Sequence, residues 1–295
     1  MDNKTPRLID QGDWNLAYLF PDEVAEARQR IGLVILPVAP IEWHGPHMVM
    51  GCDPLLAHAF ARRVAARLAC PYYPPVFLGT ERHRTPEVLE SLGFDPGAFI
   101  EGMDFPANPV ASAYVREETF ALVIRDLLNI LLNRLRFRHV LIVNGHGADN
   151  QRETLDRLCR EFNAAGTTGS VGLTKAVGLT EAVNPAGLRV MWVYPGFSHP
   201  AVAGSIGHAN AEEASMLEAA WPGSVDTGKL PASGSLKYCD YAIVDGYAFD
   251  GKPTPDHTLP VAQDPRWNTN PILGAQVLEQ AVEEVIEQVK RWMRD

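Results

Sequence analysis

The chain has 295 residues, 46% hydrophobic and 21% charged, a composition that supports a sizeable core and excludes wholesale disorder. Its 26 basic and 36 acidic residues give a net charge of −10, so nucleic acid and anionic membrane surfaces are poor partners. The N-terminus shows no apolar signal core and no run approaches the ~18 apolar residues of a membrane span; Cys52, Cys70, Cys159 and Cys239 form no Cys-x-x-Cys and read as free thiols of a cytoplasmic protein.

The first strand expected is Gly32–Ala39, a continuous apolar run of the kind buried on both faces. Pro37 inside it argues for an edge or strand-end position. A helix should follow over Pro54–Leu68, with Asp53 as N-cap and Pro54 at the first helical position. Pro71–Leu78 reads as a second, proline-interrupted strand, and residues 79 to about 115 as a long irregular stretch of functional or assembly character. Glu117–Phe137 carries the strongest helical stripe, from Phe120 through Ile124, Leu128 and Leu131 to Leu135. Arg138–Asn144 is a buried-type strand, followed by a helix from Asp149 to Phe162. Leu188–Tyr194 is another strand, His208–Ala220 a helix and Asn270–Arg294 the C-terminal helix. Between 223 and 268 only Tyr241–Val244 offers a strand.

Strands alternating with helices predict βαβ units in a mostly parallel sheet, and thus an α/β fold. Sites in such folds lie beyond the carboxyl ends of the strands. After the first strand stand Glu42 and His44, two apart, then Cys52 and Asp53. In extended backbone, residues two apart project to one side. A carboxylate and an imidazole so placed can ligate a metal, and an aspartate can span two cations with its two oxygens. The alternatives are a polar turn for Glu42 and His44 and a simple cap for Asp53. After the Val140–Val143 run comes Asn144-Gly145-His146-Gly147, an imidazole between glycines at a strand-to-helix turn. Asp149 suits a helix cap better than a ligand position. His208 stands at a helix start, with Glu213 just over one turn further on.

These blocks in order, Glu42-Trp43-His44-Gly45-Pro46-His47, then Asp53, then Asn144-Gly145-His146-Gly147, then His208-Ala209 with Glu213 and Ser215, resemble the successive signatures of the creatininase (creatinine amidohydrolase) family, over about residues 33 to 220. The resemblance implies a single three-layer α/β/α domain over 1–295, a dinuclear metal centre and commonly a homohexamer. It implies that Glu42 and His146 hold one ion, that Asp53 bridges, and that His44 holds the second. The family's own glutamate for the second ion falls at Ala148, and Glu213 takes its place. His208 and Glu213 are the catalytic residues of this reading, His208 as the group that moves protons.

The expected cofactors are two divalent ions per chain, Zn, Mn, Fe or Co. They would lower the pKa of a bridging water toward neutrality, and the hydroxide would attack a polarised carbonyl. The charged loop 79–87 brings Arg82, His83 and Arg84, suited to an oxygen-rich or carboxylate-bearing ligand. Ala148 and this loop make creatinine itself doubtful and point to a subgroup such as the keto-inosose hydrolases of inositol catabolism. The expected activity is therefore hydrolysis of a polar cyclic amide or cyclic (di)ketone. The competing readings are a metal-dependent isomerase or dehydratase of a sugar-like substrate, and a non-catalytic binding protein with a degenerate site.

Overall fold

The computed structural model describes residues 12–91, 93–106, 108–168, 187–195, 207–239, 242–244 and 258–294, of which 91, 165–168, 237–239 and 242–244 are described by backbone alone. Helix α1 (Pro21–Arg30) leads into β1 (Leu33–Ala39), and α2 (Cys52–Leu68) into the short β2 (Val76–Phe77). Helix α3 (Pro86–Ser91) interrupts the long loop before α4 (Glu117–Asn129), which runs into a π-helical turn at Ile130–Arg134. Then follow β3 (His139–Asn144), α5 (Asp149–Thr168), β4 (Arg189–Val193) and α6 (Ala211–Ala220). A hairpin of β5 (Lys237–Cys239) and β6 (Ala242–Val244), a short α7 (Pro265–Asn268) and α8 (Pro271–Trp292) complete the described chain. Tyr241 lies outside the described residues, and so does the side chain of Cys239.

The main sheet is parallel throughout, in the order β2-β1-β3-β4. Every residue of β1 is buried, which explains its unbroken apolar run. Its side chains alternate between two cores. Leu33 and Ile35 pack with Phe60 and Val64 of α2 and Val282 and Val289 of α8. Val34, Leu36 and Val38 pack with Phe120 and Ile124 of α4 and Leu155 and Leu158 of α5. A fully buried side chain of this type contributes about 1.5–3 kcal/mol, so the two layers of helix on one sheet make up the α/β/α sandwich.

Pro37 does not mark an edge. β1 is an interior strand, with β3 on one side and β2 on the other. The Ile35 N–H donates to Pro71 O at 3.0 Å and Ile35 O accepts from Tyr73 N at 2.7 Å, so odd-numbered residues turn their amides toward the 71–77 segment. Pro37 comes next in that series. It falls in the gap between the Ile35↔Tyr72 bridge and the Val38↔Val76 pair, opposite Pro74 and Pro75, so its missing N–H leaves no partner unpaired. The same prolines shorten the expected Pro71–Leu78 strand to Val76–Phe77.

Asp53 is not the cap of α2. The helix starts at Cys52, its N-cap is Gly51, and Asp53 sits inside the first turn with its side chain free for other partners. Asp149 likewise stands as the first residue of α5, exposed and 3.7 Å from Arg152. The third helix boundary also shifts: α6 begins at Ala211, capped by Asn210, whose side chain accepts from the Glu213 N–H.

Helix α8 crosses α6 at Gly274, where an added Cβ would overlap the Ser215 backbone. Glycine inside a helix normally costs up to ~1 kcal/mol relative to alanine. Here the sign should reverse. Gly274→Ala should destabilise the protein by about 1–3 kcal/mol through overpacking, measured by denaturant unfolding. A stabilised variant would show that the helices do not meet this closely.

Candidate metal centre

The carboxyl ends of β1 and β3 and the N-terminus of α2 meet at one point. Beyond β1, the chain is tied down by Glu42 N–H to Met50 O at 2.9 Å, Trp43 N–H to Ser112 Oγ at 3.0 Å and Ala113 N–H to Ile41 O at 2.8 Å. His44 Nδ1 meets Glu42 O at 3.1 Å, which aims Nε2 inward. Gly45 follows in the left-handed region at φ +73°, a turn that a side chain would strain.

Beyond β3, the buried Asn144 organises the next turn. Its Nδ2 donates to His146 O at 2.8 Å, and its Oδ1 accepts from His146 N at 3.1 Å and Gln151 Nε2 at 2.7 Å. Gly145 is required for close approach: a Cβ there would stand 2.5 Å from Asp53 O and 3.1 Å from the Ala39 Cβ. Gly147 is looser, with Tyr194 Oη at 3.6 Å as its nearest neighbour.

Asp53 lies between the two imidazoles. Its Oδ1 is 3.1 Å from His44 Nε2 and its Oδ2 is 3.0 Å from His146 Nδ1. Glu42 Oε2 stands 3.4 Å from His146 Nδ1 and 3.8 Å from His44 Nε2. Glu213 Oε1 approaches His44 Nε2 to 3.7 Å. Among the described residues, three groups of ligand atoms lie within 4.8 Å of one another: Glu42, Asp53 and His146; His44, Cys52, Asp53 and Glu213; and Glu42, His44 and His208. The sequence thus brings together all the residues named as ligands, and it adds Cys52 beside the His44 group.

The electrostatics fit a cation site. Burial pulls the His44 pKa down, but Cys52, Asp53 and Glu213 outweigh it and hold the imidazole well above its ordinary value. His146 behaves likewise, with Glu42 and Asp53 overcoming its burial. Burial pushes the Asp53 carboxyl up, yet the two imidazoles hold it below the usual carboxylate range. In the absence of an ion, protons on buried imidazoles balance buried carboxylates, and an entering cation must displace them. His44 Nε2 and His146 Nε2 are buried without a hydrogen bond. Carboxylate oxygens and imidazole nitrogens are the donor set of Zn, Mn, Fe and Co.

His208 reaches the same point from before α6. Its Nε2 donates to Trp43 O at 2.8 Å, which leaves Nδ1 facing Glu42 Oε2 at 3.8 Å. Its ring lies 4.1 Å from that of His44. Burial, helped by His44, lowers its pKa and so favours the neutral imidazole. Ala209 beside it holds φ +55°, a left-handed conformation clamped by Ala209 N–H to Glu213 Oε2 at 2.6 Å and His47 Nε2 to Ala209 O at 3.1 Å.

The cluster opens into a pocket of ≈ 550 Å³, whose wall carries Arg82, His83, Arg84, Ala148 and Arg152. Arg82 pairs with Glu153. His83 lies tilted against Phe99, with 3.6 Å between ring centroids. Arg84 donates from Nε to Gly102 O at 2.8 Å and lies over the Phe105 ring, so its guanidinium braces the loop. Two residues escape a reading of the sequence alone. Tyr114 donates to Glu42 Oε1 at 2.5 Å, and Glu81 Oε2 stands 3.5 Å from His146 Nε2. Both come from the irregular 79–115 stretch, where no periodicity or motif distinguishes them.

The Creatininase family, described as creatinine amidohydrolase, matches residues 17–289. A creatinine amidohydrolase of Pseudomonas putida is 30% identical over 145 residues, 48% of this chain; the match spans about half the length of that relative, 49%. The fold is similar to a manganese form of creatininase, with TM-score 0.63 and 20% identity over 96% of this chain and all of the other. It is equally similar to a creatininase point mutant of Zn–Zn type, with TM-score 0.63 and 20% identity over 96% and 99% of the two chains. With a family match over residues 17–289 and a parallel α/β/α sandwich that gathers carboxylates and imidazoles at the strand ends, the chain belongs to the creatininase family.

Proposed function

We propose that this protein is a dinuclear metal-dependent hydrolase that opens an oxygen-rich cyclic carbonyl compound, a cyclic amide or cyclic diketone. The observation that carries the proposal is Asp53, whose two oxygens face two different imidazoles at 3.1 and 3.0 Å. In this reading Glu42, His146 and Asp53 would hold one divalent ion, and His44, Glu213 and Asp53 would hold the other. The bound ions would supply Lewis acidity and an activated water at neutral pH.

The chain's own residues do the rest. Tyr114 fixes Glu42 through its hydroxyl. His208 has Nε2 committed to Trp43 O and Nδ1 turned toward the cluster, and its burial favours the neutral imidazole, so in this reading it takes a proton at Nδ1 and returns it to the leaving atom. Arg152 and the Glu153-paired Arg82 line the pocket that would take the ligand, and His83 with Arg84 shapes its wall. The small Ala148 on the same wall leaves room, and removes a negative charge, where a glutamate would stand. This combination favours a polyhydroxylated or carboxylate-bearing ring, such as an oxidised inositol, over creatinine.

The direct test is metal analysis with a substrate comparison. The purified protein should hold close to two divalent ions, lose activity to a chelator and regain it with Zn²⁺, Mn²⁺ or Co²⁺. It should turn over keto-inositol ring compounds better than creatinine. Full activity without metal, or efficient creatinine hydrolysis, would refute the respective half.

Asp53→Asn separates bridging from local structure. The side chain caps no helix, so the variant should remain folded. An amide must present N–H to one of the two imidazoles in place of an acceptor. The expected result is loss of at least one ion, measured by elemental analysis, with nearly all turnover.

His208→Ala should keep both ions and lose roughly 10²–10⁴-fold in kcat, the usual scale for a general acid–base group. Loss of an ion would make His208 a ligand instead.

A further inference from the structure

The loop preceding α3 is locked to the His146 turn at its base. Thr80 N–H donates to Gln151 Oε1 at 2.9 Å, and Gln151 Nε2 donates to Asn144 Oδ1, the same oxygen that accepts from His146 N. Asn150 Nδ2 reaches Thr80 Oγ1 at 3.3 Å. Gly79 packs so closely on Pro40 and Gln151 that no Cβ fits there. Glu81, which follows Thr80, is thereby delivered to His146 by these contacts, although it is remote in sequence.

Glu81 and Asp53 sit on opposite sides of one ring. His146 Nδ1 faces Asp53 Oδ2 at 3.0 Å and Glu42 Oε2 at 3.4 Å, and Nε2 faces Glu81 Oε2 at 3.5 Å. His146 Nε2 is buried and makes no hydrogen bond. Glu81 is not among the ligand atoms that gather within 4.8 Å around Asp53. Its other oxygen, Oε1, is held by the Arg82 N–H at 2.7 Å. Gly102 leaves the space that both Glu81 and Tyr114 occupy, since a Cβ there would collide with the Glu81 Cγ and stand 2.7 Å from the Tyr114 hydroxyl.

A neutral imidazole has one N–H and one lone pair, and the partner of one nitrogen decides the state of the other. We propose that Glu81 is a positioning residue for His146: its carboxylate takes the Nε2 proton as a hydrogen-bond acceptor and so leaves the Nδ1 lone pair aimed at the Glu42–Asp53 oxygens. The inference rests on the metal reading above. Glu81 then does for the imidazole what Tyr114 does for Glu42, and both are set by one glycine. A carboxylate behind a ligating histidine fixes ring orientation and raises its basicity, and loss of such a partner typically costs 10–100-fold in metal affinity.

The test compares wild type, Glu81→Ala and Glu81→Gln, stripped of metal and titrated with Zn²⁺ against a chromophoric chelator. Glu81→Ala should bind one ion 10–100-fold more weakly while reaching the wild-type stoichiometry at saturation. Glu81→Gln keeps an acceptor oxygen and should recover most of that loss, a rescue that mere loop packing would not require. With Co²⁺ in place of Zn²⁺, the visible absorption of the weakened site should change in Glu81→Ala and return toward wild type in Glu81→Gln. A loaded wild type with Glu81→Ala indistinguishable from it overturns this inference alone. Glu81→Ala saturating with one ion fewer makes Glu81 a direct ligand and overturns the positioning role. A wild type that binds no ion overturns the metal reading, and this inference with it.

Discussion

The site depends on one carboxylate shared by two imidazoles. Asp53 brings the first turn of α2 against the ends of both β1 and β3, because its oxygens contact His44 on one side and His146 on the other. That placement requires the backbone of β3 to pass close to the helix, which only a glycine at 145 allows. It also requires His44 to turn inward, which the hydrogen bond to Glu42 O provides. The central parallel strands supply the rigid base for these contacts. Their buried apolar runs are in register from Leu33↔His139 to Val38↔Asn144, so the two loops leave the sheet side by side.

Burying this many ionisable groups is unfavourable unless they compensate one another. Glu42, His44, Asp53 and His146 are all nearly inaccessible to solvent. The raised imidazole pKa values and the depressed Asp53 value are two sides of that compensation. A divalent cation serves the same purpose more completely, since it brings double charge and satisfies nitrogen lone pairs at once. Hydrogen bonds from Tyr114, Asn144 and Gln151 brace the cluster from behind.

Much of this was legible in the sequence, and the limits have physical causes. Buried parallel strands announce themselves as apolar runs, and the rule that sites lie past their carboxyl ends led to Glu42, His44 and His146. Pro37 misled because a proline is disfavoured in an interior strand only where its N–H is needed, and the opposing Pro74 and Pro75 remove that need. Asp53 before Pro54 looks like a cap, yet the helix starts earlier at Cys52, which a sequence pattern cannot distinguish. Helix α1 escaped notice because it buries little besides Ala27 and so carries no apolar stripe. Glu81 and Tyr114 could not be found from pattern at all, since their approach to His146 and Glu42 arises from loop packing around Gly102.

Glu213 joins the two halves of the site in a way its sequence position does not announce. One oxygen faces His44 Nε2, while the other accepts the N–H of Ala209. Ala209 holds a left-handed backbone, which costs an L-residue about 1–2 kcal/mol. That conformation turns His208 back toward Trp43 O and stacks it beside His44. The carboxylate that lies against the His44 imidazole therefore also sustains the strained backbone that aims His208. Withdrawing Glu213 would therefore disturb the charge beside His44 and the placement of His208 at once. Asn210 strengthens the coupling, because it caps α6 through the Glu213 N–H and fixes the main chain from which that side chain extends. Charge compensation, backbone strain and histidine placement converge on a few residues at the start of α6, and this convergence explains why His208 and Glu213 stand so close together in the chain.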